Sequence, residues 1–224
     1  MQRAALLLFL ASLCSAQTVW DGVYTDAQAV RGMAAFNQSC AGCHALAPEG
    51  KAPLVGDAFW KSFSQKTVGD MLEFIATYMP NGNPGSLNKS AYADIAAQML
   101  KSNGFPVGTK ELAPNTITAV RIVPKDGSTD LPANALARVI GCLAKKGPDW
   151  VITSATNPER AEHVQSKEDA TRNLGDRTIT LKFVLTKLDP WTGSRVAVNG
   201  LLIGPNGTEG INVTEVTRVA PQCP

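Results

Sequence analysis

The hydrophobic period of the chain switches once, and that switch excludes a single uniform architecture. From about Thr25 to Asn103, apolar residues recur at helical spacing. Thr25 reads as an N-cap before Ala29, Val30, Met33 and Phe36, and Thr67 opens a second stripe of Val68, Met71, Leu72, Ile75 and Tyr78. Asn88 or Ser90 starts a third, with Tyr92, Ile95, Met99 and Leu100 aligned and Gly104 past its end. Pro/Gly-rich chain at Ala47–Gly56 and Pro80–Gly85 separates them, which predicts three helices with long irregular connections. Beyond Phe105-Pro106-Val107-Gly108 the apolar runs become short and rich in Val, Ile and Thr. They are Ile117–Val123, Ala135–Leu143, Trp150–Ser154, Thr178–Leu185, Arg195–Ile203 and Ile211–Val219. Five or six such strands predict a small all-β barrel or sandwich. The 224 residues have room for two small domains. The expected division lies near Pro114, with an all-α domain over 17–113 and a β domain over 114–224.

Composition narrows the function classes. The chain carries 21 Lys+Arg against 19 Asp+Glu, a net charge of +2. Neither a nucleic-acid partner nor a polybasic membrane contact fits that balance. The halves are similarly even, with 7 basic and 8 acidic residues over 17–113 and 13 and 11 over 114–224, so electrostatics name no partner. Met1–Ala16 has the form of an export signal: Arg3, an uncharged apolar run from Ala4 to Leu13, and small residues at Cys14-Ser15-Ala16. The apolar run is too short to span a bilayer. Cleavage after Ala16 is expected, with lipid attachment at Cys14 and a retained anchor as the other readings. Export would leave Cys40, Cys43, Cys142 and Cys223 in an oxidising compartment, the bacterial periplasm.

Cys40-Ala41-Gly42-Cys43-His44 is the strongest chemical signal. A C-x-x-C-H run is the attachment site for c-type haem: both thiols add across the vinyl groups of one porphyrin, and the adjacent His is delivered to an axial face of the iron. A thioredoxin-like pair would need a βαβ context, which is absent here. Zinc would need a second ligand pair, whereas Cys142 and Cys223 lie far apart in the β half and the remaining histidine is His163. One covalently bound haem c is therefore expected.

Four methionines compete for the second axial position. Met33, Met71 and Met99 sit on helical stripes, where Met usually fills core. Met79 ends the second helix and precedes Pro80 and a Gly/Asn/Pro loop, where a thioether can approach iron from irregular backbone. His163, in a polar stretch from Glu159 to Asp169, and an open site are the alternatives.

On these residues, Gly32 to Asn103 resembles a class I cytochrome c domain, particularly the small type associated with periplasmic quinoprotein dehydrogenases. Gly32, Phe36 and Cys40 match the family's first helix, where the Gly lets the last helix cross closely. Ala52-Pro53-Leu54-Val55-Gly56 matches the loop whose proline carbonyl, here Pro53, accepts a hydrogen bond from the proximal His. Tyr78-Met79-Pro80 matches the distal methionine segment. Tyr92–Leu100 matches the last helix, except that Gln98 stands where the family usually has an aromatic, which implies a weaker crossing contact with Gly32. The resemblance also implies haem attachment outside the cytoplasm.

Ligation by both His44 and Met79 would leave iron no free position, which points to one-electron transfer rather than catalysis. Phe59, Trp60, Phe63, Phe74 and Ile75 are available for an apolar haem shell. The implied protein partners are a dehydrogenase donor and a respiratory acceptor. The other class of reading is a haem-based gas or redox sensor whose β half transmits the signal. In that half, Cys142 and Cys223 are expected to form a disulfide, and the strand run weakly resembles an OB-like barrel. No basic surface interleaved with aromatics supports nucleic acid there.

Overall fold

A computed structural model describes residues 17–113, 120–161 and 167–224, with nothing described of the side chains of 167 and 168. The export-signal segment, the boundary at Pro114 and His163 lie outside the described residues. Four helices come first: α1 (Asp26–Ser39), α2 (Asp57–Phe63), α3 (Val68–Tyr78) and α4 (Lys89–Ser102). Three of their starts follow the expected caps. The Thr25 side chain accepts from the Gln28 amide, Asn88 accepts from the Ala91 amide, and Thr67 and Asp70 form a reciprocal capping box. The short α2 was not expected. It follows Gly56, which has a positive φ of 61° and no capping side chain, so the sequence there carries no cap signal.

The buried face of α1 also departs from the expected stripe. Gln28, Ala29, Gly32 and Phe36 are buried, while Val30 and Met33 are exposed. The register is dictated by α4: a Cβ on Gly32 would lie 1.8 Å from the Asp94 carbonyl oxygen, so the two backbones touch. The crossing is close even though Gln98 replaces an aromatic. Gln98 is buried, its Cβ faces Gly32, and its amide donates to Ser102 Oγ at 2.9 Å. Tyr78, counted on the α3 stripe, is likewise exposed, whereas Val68, Met71, Leu72 and Ile75 are buried. Among the described residues no helix is long and apolar enough to cross a membrane.

Six strands follow: β1 (Leu136–Lys146), β2 (Asp149–Ala155), β3 (Glu159–Arg160), β4 (Arg177–Lys182), β5 (Arg195–Ile203) and β6 (Gly210–Ala220). The expected Ile117–Val123 strand is not among them. Of its described part, Arg121 makes isolated bridges to Thr18 and Thr67, and Val120 and Ile122 pack into the helical core instead of the sheet. β1 pairs antiparallel with β2, β3 and β5; β2 pairs with β4; β4 runs parallel to β6; and β6 pairs with β5. These pairings pass through five strands and return to β1. They enclose a second core that includes Val139, Leu143, Ile152, Ile179, Val198 and Ile211. Strand β1 changes partners at Cys142, which is in register with both Thr153 and Arg195. Gly141 permits this, because a Cβ there would meet Ile152 Cγ2 at 2.4 Å and the Thr153 carbonyl at 2.7 Å.

Cys142 and Cys223 are disulfide-bonded, as expected, with Cα atoms 5.5 Å apart and a sequence separation of 81. The bond ties the chain end to β1 and is worth about 4 kcal/mol in the chain-entropy account. The helical and sheet halves touch through polar contacts. Arg160 on β3 donates from Nε to the Ser64 carbonyl (2.8 Å) and from Nη2 to the Lys61 carbonyl (3.0 Å). Gln65 Nε2 donates to the Ser128 carbonyl at 2.8 Å.

The Gly32 contact gives a direct test. Gly32→Ala forces α1 off α4 and should destabilise the protein by about 1–3 kcal/mol, read as a lower urea midpoint. An unchanged midpoint would show that the crossing tolerates a methyl group.

Candidate functional site

The Cys40–His44 run folds as a turn at the end of α1. The Cys40 amide donates to the Phe36 carbonyl at 2.8 Å, and the Cys43 and His44 amides donate to the Cys40 carbonyl at 3.0 and 2.9 Å. The turn brings Cys40, Cys43 and His44 together at the end of the helix. Cys40 is half-buried and Cys43 exposed, and both thiols are free. Burial pushes the Cys40 thiol up from its ordinary pKa, so it stays protonated at neutral pH.

His44 Nδ1 lies 3.0 Å from the carbonyl oxygen of Ala52. The partner is therefore Ala52 and not Pro53, a shift of one residue from expectation. The chain turns at Ala52, whose φ is 33°, while Pro53 aligns with Ala45 in a short parallel bridge and the Leu54 amide donates to the Ala45 carbonyl at 2.9 Å. The turn at Ala52 thus brings the Ala52 carbonyl, one residue before Pro53, to face the ring. With its proton on Nδ1, the imidazole donates to Ala52 and keeps Nε2 as an unprotonated ligand atom.

Met79 is the C-cap of α3, its amide donating to the Ile75 carbonyl at 2.9 Å. Its own carbonyl accepts from the Tyr92 hydroxyl at 2.8 Å and from the Gly85 amide at 3.3 Å. Tyr92 on α4 therefore holds the methionine loop in place. The Met79–Pro80 peptide is cis.

These parts converge. Cys40, Cys43, His44 and Met79 line one cavity of about 370 Å³, walled mainly by apolar side chains including Phe36, Phe63, Phe74, Ile75 and Ile95. Among the described residues, no acidic or strongly basic side chain lines it. Two thiols, an imidazole and a thioether in one apolar cleft match the donor set a c-type haem requires. Met99 on α4 also reaches this cavity, whereas Met71 is buried away from it and Met33 is exposed on the outside of α1. Of the shell expected for haem, Phe63, Phe74 and Ile75 line the cavity. Phe59 and Trp60 do not: they pack against Phe105, each with ring centroids 5.7 Å away, Phe59 fully buried in the helical core and Trp60 half-buried at its edge. A larger cavity of about 630 Å³ lies elsewhere, against the sheet half, and contains none of the four donor residues.

Two positioning residues escaped the sequence reading. Tyr92 was counted only as an apolar stripe member. Asn103 follows the last residue of α4, its Nδ2 donating to the carbonyls of Met99 (2.8 Å) and Leu54 (3.1 Å) while its Oδ1 accepts from the Gly56 amide at 3.0 Å. It thereby joins the end of α4 to the loop that carries Ala52. An Asn immediately before a glycine at a helix end was the available signal.

Residues 27–99 match the family described as cytochrome c oxidase, cbb3-type, subunit III. The match supports a class I cytochrome c domain over the helices. It covers about a third of the chain and does not extend to the dehydrogenase-associated type that the motifs resemble. The cytochrome domain in turn implies haem-based electron transfer. No curated protein and no solved structure matched the chain.

The Tyr92 hydroxyl supplies the test of this arrangement. Tyr92→Phe keeps the ring and removes one bond to the Met79 carbonyl, which should cost about 0.5–1.5 kcal/mol in urea unfolding. Limited proteolysis should then cut sooner within 79–85. Wild-type stability and cleavage would show that the loop is held by other contacts.

Proposed function

We propose that the cytochrome domain is an exported, monohaem c-type electron carrier between a periplasmic dehydrogenase and a respiratory acceptor. The reading is carried by one observation: Cys40, Cys43, His44 and Met79, separated by up to 39 positions in sequence, line the same apolar cavity. A haem bound there would supply a one-electron Fe(III)/Fe(II) couple. Cys40 and Cys43 would hold the porphyrin as thioethers. His44 would present Nε2 to the iron while the Ala52 carbonyl fixes the ring through Nδ1. Met79 would offer its sulfur as the second protein ligand to the iron, its backbone held by the Tyr92 bond to its carbonyl. The apolar walls disfavour the extra charge of the oxidised state, and thioether ligation acts in the same direction, so both raise the potential. With His44 and Met79 both holding the iron, the chain would leave no position for a substrate, which favours relay over catalysis.

We read the sheet half as an OB-like barrel serving as an interaction module for a redox partner. The support is the strand order, which returns to β1 through five strands with β4 and β6 parallel. The fold alone names no ligand. Export rests on the form of the Met1–Ala16 segment.

Absorption spectra of the haem-loaded protein, oxidised and reduced, with and without carbon monoxide, test the assignment. A low-spin spectrum that ignores the gas is expected. Met79→Ala should become high-spin and bind carbon monoxide, while the volume-conserving Met99→Leu should keep the wild-type spectrum. A wild-type protein that is high-spin or responds to the gas would overturn the relay and favour a haem-based sensor. A Met99→Leu protein that loses low-spin character would move the axial ligand to α4.

A further inference from the structure

We propose that the cavity between the cytochrome domain and the sheet binds a compact, doubly charged oxyanion, of the phosphate or dicarboxylate kind, that bridges the two halves. The cavity, about 630 Å³, falls within the size range of small-ligand sites. Four arginines line it against three carboxylates.

The carboxylates are already committed. Asp169 pairs with Arg138, both buried, and Arg138 Nη1 also donates to Asn199 Oδ1 at 3.1 Å. Glu159 accepts both forks of Arg172, at 3.1 and 2.6 Å. Asp70 is turned onto the start of α3, accepting from the Thr67 amide at 2.7 Å and the Thr67 hydroxyl at 2.8 Å.

Two guanidinium groups remain without a carboxylate among the described residues. Arg121 makes one long side-chain contact, 3.4 Å to Gln65 Oε1. Arg160 donates to two backbone carbonyls, which use two of its five N–H groups and leave its charge unneutralised. The surplus is felt nearby. Lys66 is half-buried, and burial together with the Arg160 charge pushes its pKa down from the ordinary lysine value. A bound anion would relieve that repulsion.

The geometry also selects the ligand class. A guanidinium fork matches two oxygens of a phosphate or carboxylate, so a single oxyanion with two charged faces can engage two arginines. Arg121 belongs to a segment packed into the helical core, and Arg160 is on β3 of the sheet. A ligand held by both would therefore join the halves, with Thr129 and Asn157 also lining the cavity as further polar contacts.

The test uses the haem-loaded full chain and two probes, inorganic phosphate and succinate, each titrated calorimetrically at ionic strength held constant with sodium chloride. Saturable binding of phosphate, succinate or both is expected, and the pattern distinguishes a phosphate site from a carboxylate site. Arg121→Gln, at an exposed position, should weaken binding about tenfold or more while leaving the haem spectrum unchanged. Arg121→Lys should retain part of the affinity, because the charge stays and the fork is lost. The proposal is overturned if neither probe binds, or if Arg121→Gln binds both as tightly as wild type.

Discussion

The backbone contact between α1 and α4 is the constraint on which the rest of the helical half depends. Because Gly32 lets the Asp94 carbonyl approach where a side chain would otherwise stand, the two helices cross with almost no spacer. Everything that forms the site hangs from these two rods. The end of α1 carries the Cys40–His44 turn. From α4, Tyr92 grips the Met79 carbonyl, and Asn103 grips the loop that carries Ala52. A pair of helices separated by one more methylene would leave those grips misplaced, since hydrogen bonds of this kind weaken steeply with distance and angle.

The sheet half solves a different problem. Its strands bury one core and leave few open edges, because the pairing sequence returns to β1. Closure requires β1 to serve three neighbours, and its pairings with β2 and β5 meet at Cys142, the same place where the disulfide anchors the chain end. Contact with the helical half is made through arginine and glutamine side chains reaching backbone carbonyls. Such contacts orient two bodies without supplying much hydrophobic energy.

Much of this was readable in the sequence, and the reasons for the exceptions are physical. Local chemistry was the most legible: Thr25, Thr67 and Asn88 cap the helices as their side chains predict, and β5 spans the expected Arg195–Ile203. Helix α2 was missed because Gly56 offers no capping side chain and seven residues show no full period. Val30, Met33 and Tyr78 fitted an apolar stripe, yet the partner helix decided which face was buried, and it chose Gln28 and Gly32. The Arg121 segment alternated like a strand but was captured by the helical core. Ala52 replaced Pro53 because a one-residue shift in a loop leaves no trace in composition. The arginine-lined cavity was invisible for a related reason: its residues are scattered from Gln65 to Arg172, and only the tertiary fold assembles them.

Helix α3 has a mechanical consequence. Its N-cap Thr67 lies on the wall of the larger cavity and its C-cap Met79 in the smaller one. Eleven residues at helical rise make it a rod of about 16 Å. A rod transmits displacement with little loss, so the two cavities are joined by a stiff strut rather than by loose chain. The wall of the first chamber and the seat of the sulfur in the second are thus two ends of one rigid element.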